Sequence, residues 1–182
     1  MLQSFTGLGF ACFTLAAAPT AAAQSMSQRP VSTSVQISGS CSGCDMSGRV
    51  MPRISMQGSN FAGSDFSHSN LSGAKFYKSN FANASFHKAY LMRIEGEGVN
   101  LRNSVLRDAT LTEAKLIKSD LSSVDLRGAD LSRGSFAESA FNGANFRSVE
   151  APAANFSDCD FKGAKLDHAN FERANLSGAM FI

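Results

Sequence analysis

The stretch Cys41-Ser42-Gly43-Cys44 is the first place in this sequence where residue types and spacing could do chemistry. A C-x-x-C spacing serves thiol–disulfide exchange or supplies half of a metal site. No second C-x-x-C and no histidine pair lies nearby, so zinc would lack ligands. Three readings remain: a pair of buried capping residues, a structural disulfide if the chain reaches an oxidising compartment, or a redox pair. Cys159 stands alone and reads as an inert core thiol. His68, His87 and His168 are well separated, and no Ser or Cys nucleophile accompanies them in a recognisable motif. They read as solvated surface groups. The inventory offers no catalytic residue, no metal site and no cofactor site, and the expectation is a protein that is not an enzyme.

What positions these residues follows from a period of five. In "SNLSGAKFYKSNFANASF", from Ser69 to Phe86, a large apolar residue returns at Leu71, Phe76, Phe81 and Phe86. A helix advances about 100° per residue, so a step of five scatters these side chains around the cylinder. A straight strand alternates faces, so an odd step sends successive large residues to opposite sides. The pattern fits a chain that runs extended, bends and repeats, so that every fifth side chain points at a common axis. Small residues such as Ala74, Ala84, Ala89, Ala109 and Ala114 lie two positions earlier, on the same side of a short strand. Large and small inward residues then interdigitate at native density. The remaining positions are rich in Asn, Asp, Ser, Gly, Lys and Arg, as in "DLSSVDLRGADLSRG", and suit tight bends facing water.

The frame runs from Met46 to Phe181 through 28 large positions, of which twelve are Phe, eleven Leu and three Met. Only Gly96 and Ala151 break it, and 22 of the 28 partner positions are Ala, Ser, Gly or Cys. The segments "A-N-F", "A-D-L-S", "GANF" and "ANLSGAMF" resemble the pentapeptide-repeat family over about three quarters of the chain. The resemblance implies an all-β fold, a right-handed quadrilateral parallel β-helix with four pentapeptides per square coil and about seven coils. Stacking at roughly 4.8 Å would make a rod on the order of 34 Å long. Solenoid coils contact only their neighbours, so both ends need protection.

The chain divides into 1–23, 24–45 and 46–182. Met1 to Ala23 carries no charged side chain, has an apolar run around Gly7 to Ala18, and ends in the small-residue site Ala21-x-Ala23. It reads as a signal peptide, although its first residues lack Lys and Arg, and its apolar run is too short for a membrane span. The expected location is the periplasm or the exterior. Residues 24–45 read as a linker leading to a cap strand near Val31 to Ile37. Arg49 takes an inward small position and Pro52 follows Met51, so irregular geometry is expected from about Cys44 to Arg53. Gly96 is expected to let the backbone bulge beside Glu95 and Glu97. At the other end, "GAMFI" would leave an uncovered coil, a liability that a homodimer through the C-terminal coil would remedy.

Net charge is +2, with no polybasic run or acidic tail, which argues against nucleic acid or anionic membrane as a general partner. A coil of 20 residues would align His87, Arg107, Arg127 and Arg147 in one outward column, able to grip carboxylates or phosphates bidentately. Asp108, Asp125 and Asp167 lie close enough to neutralise it. Lys75 and Lys78, Glu95 and Glu97, then Lys115 and Lys118 would form an alternating ladder of modest strength. Two functions compete. One is a non-catalytic exported scaffold that binds an unknown protein partner. The alternative comes from a branch of the same family whose members look like duplex DNA and bind DNA gyrase or a related topoisomerase. That branch needs an acidic surface and a cytosolic address, and this sequence indicates neither.

Overall fold

The computed structural model describes Gln36, Ile37 and residues 39–182; the expected signal peptide at 1–23 and the linker as far as residue 35 lie outside them. Most pentapeptides repeat one local structure. A large inward residue is followed by two turn residues, a small inward residue and a residue that bridges to the neighbouring coil. The turn closes from the small residue's N–H to the large residue's carbonyl, as from Ala74 to Leu71 at 2.9 Å and from Ser79 to Phe76 at 3.0 Å. The second turn residue has positive φ throughout Gly43 to Gly178, at ten glycines and eighteen other residues. This is the backbone of a type II turn, with its left-handed third residue. The corners of the square are therefore made by left-handed backbone, whether or not glycine is present.

The other backbone groups tie coil to coil. Each large residue's N–H reaches the bridging residue's carbonyl one coil on, as from Phe61 to Asn80 at 2.7 Å, and Asn80 returns a bond to Ser59 at 2.9 Å. The second turn residue bonds likewise to the next corner, as from His68 to His87 at 2.9 Å. That leaves the first turn residue's N–H, which no coil-to-coil bond uses. All fourteen Asn and Asp residues at the bridging position accept this N–H through Oδ1, from Asp45 with Ser47 to Asn175 with Ser177. An Asx turn thus completes the local hydrogen bonding.

Bridges pair residue i with i + 20 in parallel register. The column from Ser40 through Asn60 to Met180 is joined by seven such bridges, giving seven coils of a right-handed quadrilateral parallel β-helix. A face is so narrow that pairing extends to three residues only where β1 (Glu95–Glu97) lies on β2 (Lys115–Ile117). Down the axis, rings one coil apart stack almost parallel, as in Phe61 on Phe81 at 5.7 Å and Phe141 on Phe161 at 5.3 Å. Between these two aromatic stretches the large positions from Leu101 to Leu131 are leucine, all buried.

Three local expectations change. First, the bridges and left-handed corners hold their register from Gly43 onward, because Pro52 falls on the first turn position, where its fixed φ is favourable and its missing N–H is not needed; the expected irregularity is confined to the turn bonds, which are missing at Cys44 and Ile54 and long, at 3.4 Å, at Arg49. Second, Arg49 is exposed, since it belongs to the first coil and its side chain escapes at the end of the solenoid. Third, Gly96 makes no bulge: Glu95, Gly96 and Glu97 pair in unbroken register with Lys115, Leu116 and Ile117. Of the expected cap, Ile37 donates to the Ser55 carbonyl at 2.8 Å and packs on the core. In the last coil Leu166, Phe171 and Leu176 are half-buried, while Met180 and Phe181 are exposed.

Candidate functional site

Cys41 and Cys44 occupy a large and a small inward position at the start of the first coil. Their sulfurs are joined in a disulfide, with the Cα atoms 5.6 Å apart. The loop is tied down by Ser64, whose hydroxyl donates to the Cys41 carbonyl at 2.7 Å and accepts the Cys44 N–H at 3.1 Å. In this state neither sulfur is a nucleophile or a metal ligand. Cys159 is buried, its Sγ donates to the Phe136 carbonyl at 3.0 Å, and burial pushes its thiol up to about 11. A thiol that stays protonated at neutral pH is a core residue. Among the described residues there is no cluster of metal-ligating side chains, and no buried side-chain nitrogen or oxygen lacks a partner.

His87, Arg107, Arg127 and Arg147 do stand in one column, linked through backbone bonds such as Lys88 N–H to Arg107 O at 2.9 Å and Asp108 N–H to Arg127 O at 3.0 Å. Each member of the column faces an aspartate. Arg127 grips Asp125 with Nε at 2.8 Å and Nη2 at 2.6 Å, and Arg107 Nε lies 4.0 Å from the same carboxylate. Arg147 Nε reaches Asp167 at 2.8 Å, and His87 Nδ1 lies 3.9 Å from Asp108. Burial pushes the Asp125 carboxyl up, but hydrogen bonds from Arg127 and the charges of Arg127 and Arg107 outweigh it and hold the group low. The hydrogen bond from Arg147 likewise lowers Asp167. His68 packs edge-on against His87 with ring centroids 5.7 Å apart, whereas His168 lies several coils away. On the Lys75, Glu95, Lys115 face, Lys118 sits 3.9 Å from both Glu97 and Glu138, and Tyr77 donates to Glu95 at 3.2 Å.

A second surface feature is absent from the sequence reading. Apart from the last coil, the exposed large apolar side chains among the described residues are Val50 at 71%, Tyr90 at 54% and Met92 at 39%. Val50 and Tyr90 share one bridging column and Met92 opens the adjoining corner. A shallow depression beside Tyr90 is lined by His68, Lys88, Tyr90, Asp108 and Thr110. The signal was present as large apolar residues at outward positions of the five-residue frame.

The profile for the family described as pentapeptide repeats matches this chain in eight copies, over residues 40–76, 59–93, 97–133, 125–151 and 154–182. No curated protein matches it. A trypsin-treated variant of QnrB1, a plasmid-mediated fluoroquinolone resistance protein, superposes with a TM-score of 0.75 at 20% identity, over 80% of this chain and 73% of QnrB1. HetL, a pentapeptide repeat protein involved in heterocyst differentiation regulation in Nostoc sp. strain PCC 7120, is 18% identical over 81% of this chain and 87% of HetL, with a TM-score of 0.48. No described helix is long and apolar enough to cross a membrane.

Proposed function

The chain belongs to the pentapeptide-repeat family, and from that premise we propose that it is a non-catalytic scaffold, exported to the periplasm or beyond, whose outer faces bind a protein partner. The observation that carries this reading is the unbroken core: from Ile54 to Phe161 the inward positions are closed by packed apolar side chains and fully bonded serines, with glycine only at Gly96 and Gly134. Such an interior holds no substrate, so the chemistry available to the molecule lies on its faces and corners. The Cys41–Cys44 disulfide and the charge-free segment 1–23 support export. The topoisomerase alternative calls for an acidic, DNA-like surface, and the arginine column and net charge of +2 do not favour it. Pairing of two copies through the coil that carries Phe171, Leu176 and Phe181 is part of the same reading, and light scattering of the purified protein is expected to give the mass of a dimer.

Intact mass of the protein from separated periplasmic and cytoplasmic fractions, with thiol alkylation, tests the address. A periplasmic species beginning at Gln24 that alkylates only after reduction at Cys41 and Cys44 is expected. A full-length cytoplasmic species with both thiols free would overturn export. Crosslinking in the periplasmic fraction tests the scaffold itself, and recovery of no protein partner would count against it.

A further inference from the structure

The bridging column that contains Tyr90 changes character along its length. Asn70, Tyr90 and Thr110 are uncharged, whereas the same column continues as Asp130 and Glu150. The corners on either side carry basic side chains at the uncharged end. One presents His68 and Lys88, the other Arg53 and Arg93. Lys88 and Arg53 make no salt bridge among the described residues, while Arg93 is engaged by Glu113 at 2.7 Å. The exposed apolar side chains Val50, Tyr90 and Met92 lie on this same stretch, and the depression of about 510 Å³ opens beside Tyr90. Aromatic and aliphatic anchors with free cations at the rim are the make-up of a binding surface, since anchors supply affinity and rim charges speed encounter.

We infer that the face from Val50 to Thr110 binds an extended acidic protein segment, which lays an apolar side chain against Tyr90 and Met92 and its carboxylates beside Lys88 and Arg53. This rests on the scaffold reading above. A polypeptide fits better than a nucleic acid strand because Asp108 and Glu113 interrupt both rows of basic side chains. An evenly charged phosphate backbone would meet those carboxylates, whereas a peptide places its charges selectively. The face's backbone groups are committed to bonds between coils, as Tyr90 N–H is to Ser69 O at 2.9 Å, so side chains must carry recognition.

The test is selection of short random linear peptides against the full chain, with oligothymidylate as a competing probe. Enriched peptides are expected to be acidic and to contain an aromatic or long aliphatic residue. Their affinity should fall at least about tenfold on Tyr90→Ser with Met92→Ser, fall further with Lys88→Glu, and weaken with salt. Ile117→Ser, on a different face, should leave it unchanged, and circular dichroism should show all variants folded. Peptides without acidic bias, no enriched peptide at all, or preferential binding of oligothymidylate through Tyr90 would each overturn the inference. Peptide or partner binding that survives the Tyr90 change but is lost on Arg127→Glu would overturn it too, while leaving the scaffold reading intact.

Discussion

Gly96 and Ala151 both place a small residue where the coil expects a large one, and the coil handles them differently. In each case the inward partner two residues earlier is branched, Ile94 before Gly96 and Val149 before Ala151, so volume is exchanged between neighbouring inward positions and the core stays filled. After Ala151 the corner is ordinary: Ala154 N–H bonds to the Ala151 carbonyl at 3.3 Å. After Gly96 it is not. A third branched residue, Val99, occupies the next small position, and its N–H turns to Ser119 Oγ at 3.1 Å; one coil on, Ser119 N–H turns to Ser139 Oγ at 3.0 Å. These two corners follow β1 and β2, where pairing widens to three residues. At Ala151 a small residue in a large position is therefore tolerated without change at the corner. Where the corner opens, a branched neighbour fills the space and hydroxyls one coil on receive the N–H groups that the turn would have used.

The scale is set where the frame is intact. Phe141 stacks on Phe161 and meets Phe136, Phe146 and Phe156 edge-on. Phe141→Ala should cost about 3–5 kcal/mol in urea unfolding, whereas Arg127→Ala, which removes an exposed guanidinium from the half-buried Asp125, should cost about 1 kcal/mol. Equal costs would refute the inward and outward assignment on which the comparison rests.

Gly96→Ala comes next. A Cβ there would lie 2.5 Å from Val99 Cγ2 and 3.1 Å from Leu116 Cδ2, so overpacking should cost about 1–3 kcal/mol. Val99→Ala in the same molecule should recover most of it, and additive costs would show that Val99 does not fill the space left by Gly96. Ser119→Ala leaves the Val99 N–H without its acceptor and should cost about 1–2 kcal/mol. An unchanged unfolding midpoint would mean the corner recloses onto the Gly96 carbonyl, as the one after Ala151 does.

Much of this was legible in the chain. A period of five assigns every inward position except Arg49, which escapes because it lies in the first coil. The likeness to pentapeptide repeats implied the square coil, and a 20-residue coil places His87, Arg107, Arg127 and Arg147 in one column. Compensation at Gly96 was not legible, because Val99, Leu116 and Ser119 meet only once neighbouring coils are stacked. The Asn and Asp preference read as turn chemistry in general, but its cause, a first turn N–H left over by the coil-to-coil bonds, needs the full backbone accounting. Tyr90 and Met92 were visible as large apolar residues off the frame, and their convergence with Lys88 and Arg53 depends on which columns flank which face.

The smallest effect separates backbone from side chain at the Ala151 corner. Ala153 is the second turn residue there, with φ of 55° and its N–H bonded to the Glu172 carbonyl at 2.8 Å. The left-handed region costs an L-residue roughly 1–2 kcal/mol, which glycine avoids, while glycine's looser unfolded chain returns about 0.4–1 kcal/mol of that gain. Ala153→Gly should therefore stabilise by up to about 1 kcal/mol, seen as a small rise in urea midpoint with unchanged slope. The same change at the corner after Gly96 is already present, since Gly98 holds φ of 64°. Gly98→Ala should lose a similar amount there. Opposite signs at the two corners would show that strain at the left-handed residue is set by position in the coil alone. A null effect at both would mean that coil-to-coil bonding, which every second turn residue from Arg53 to Glu138 also makes, absorbs the cost and explains why eighteen of these corners do without glycine.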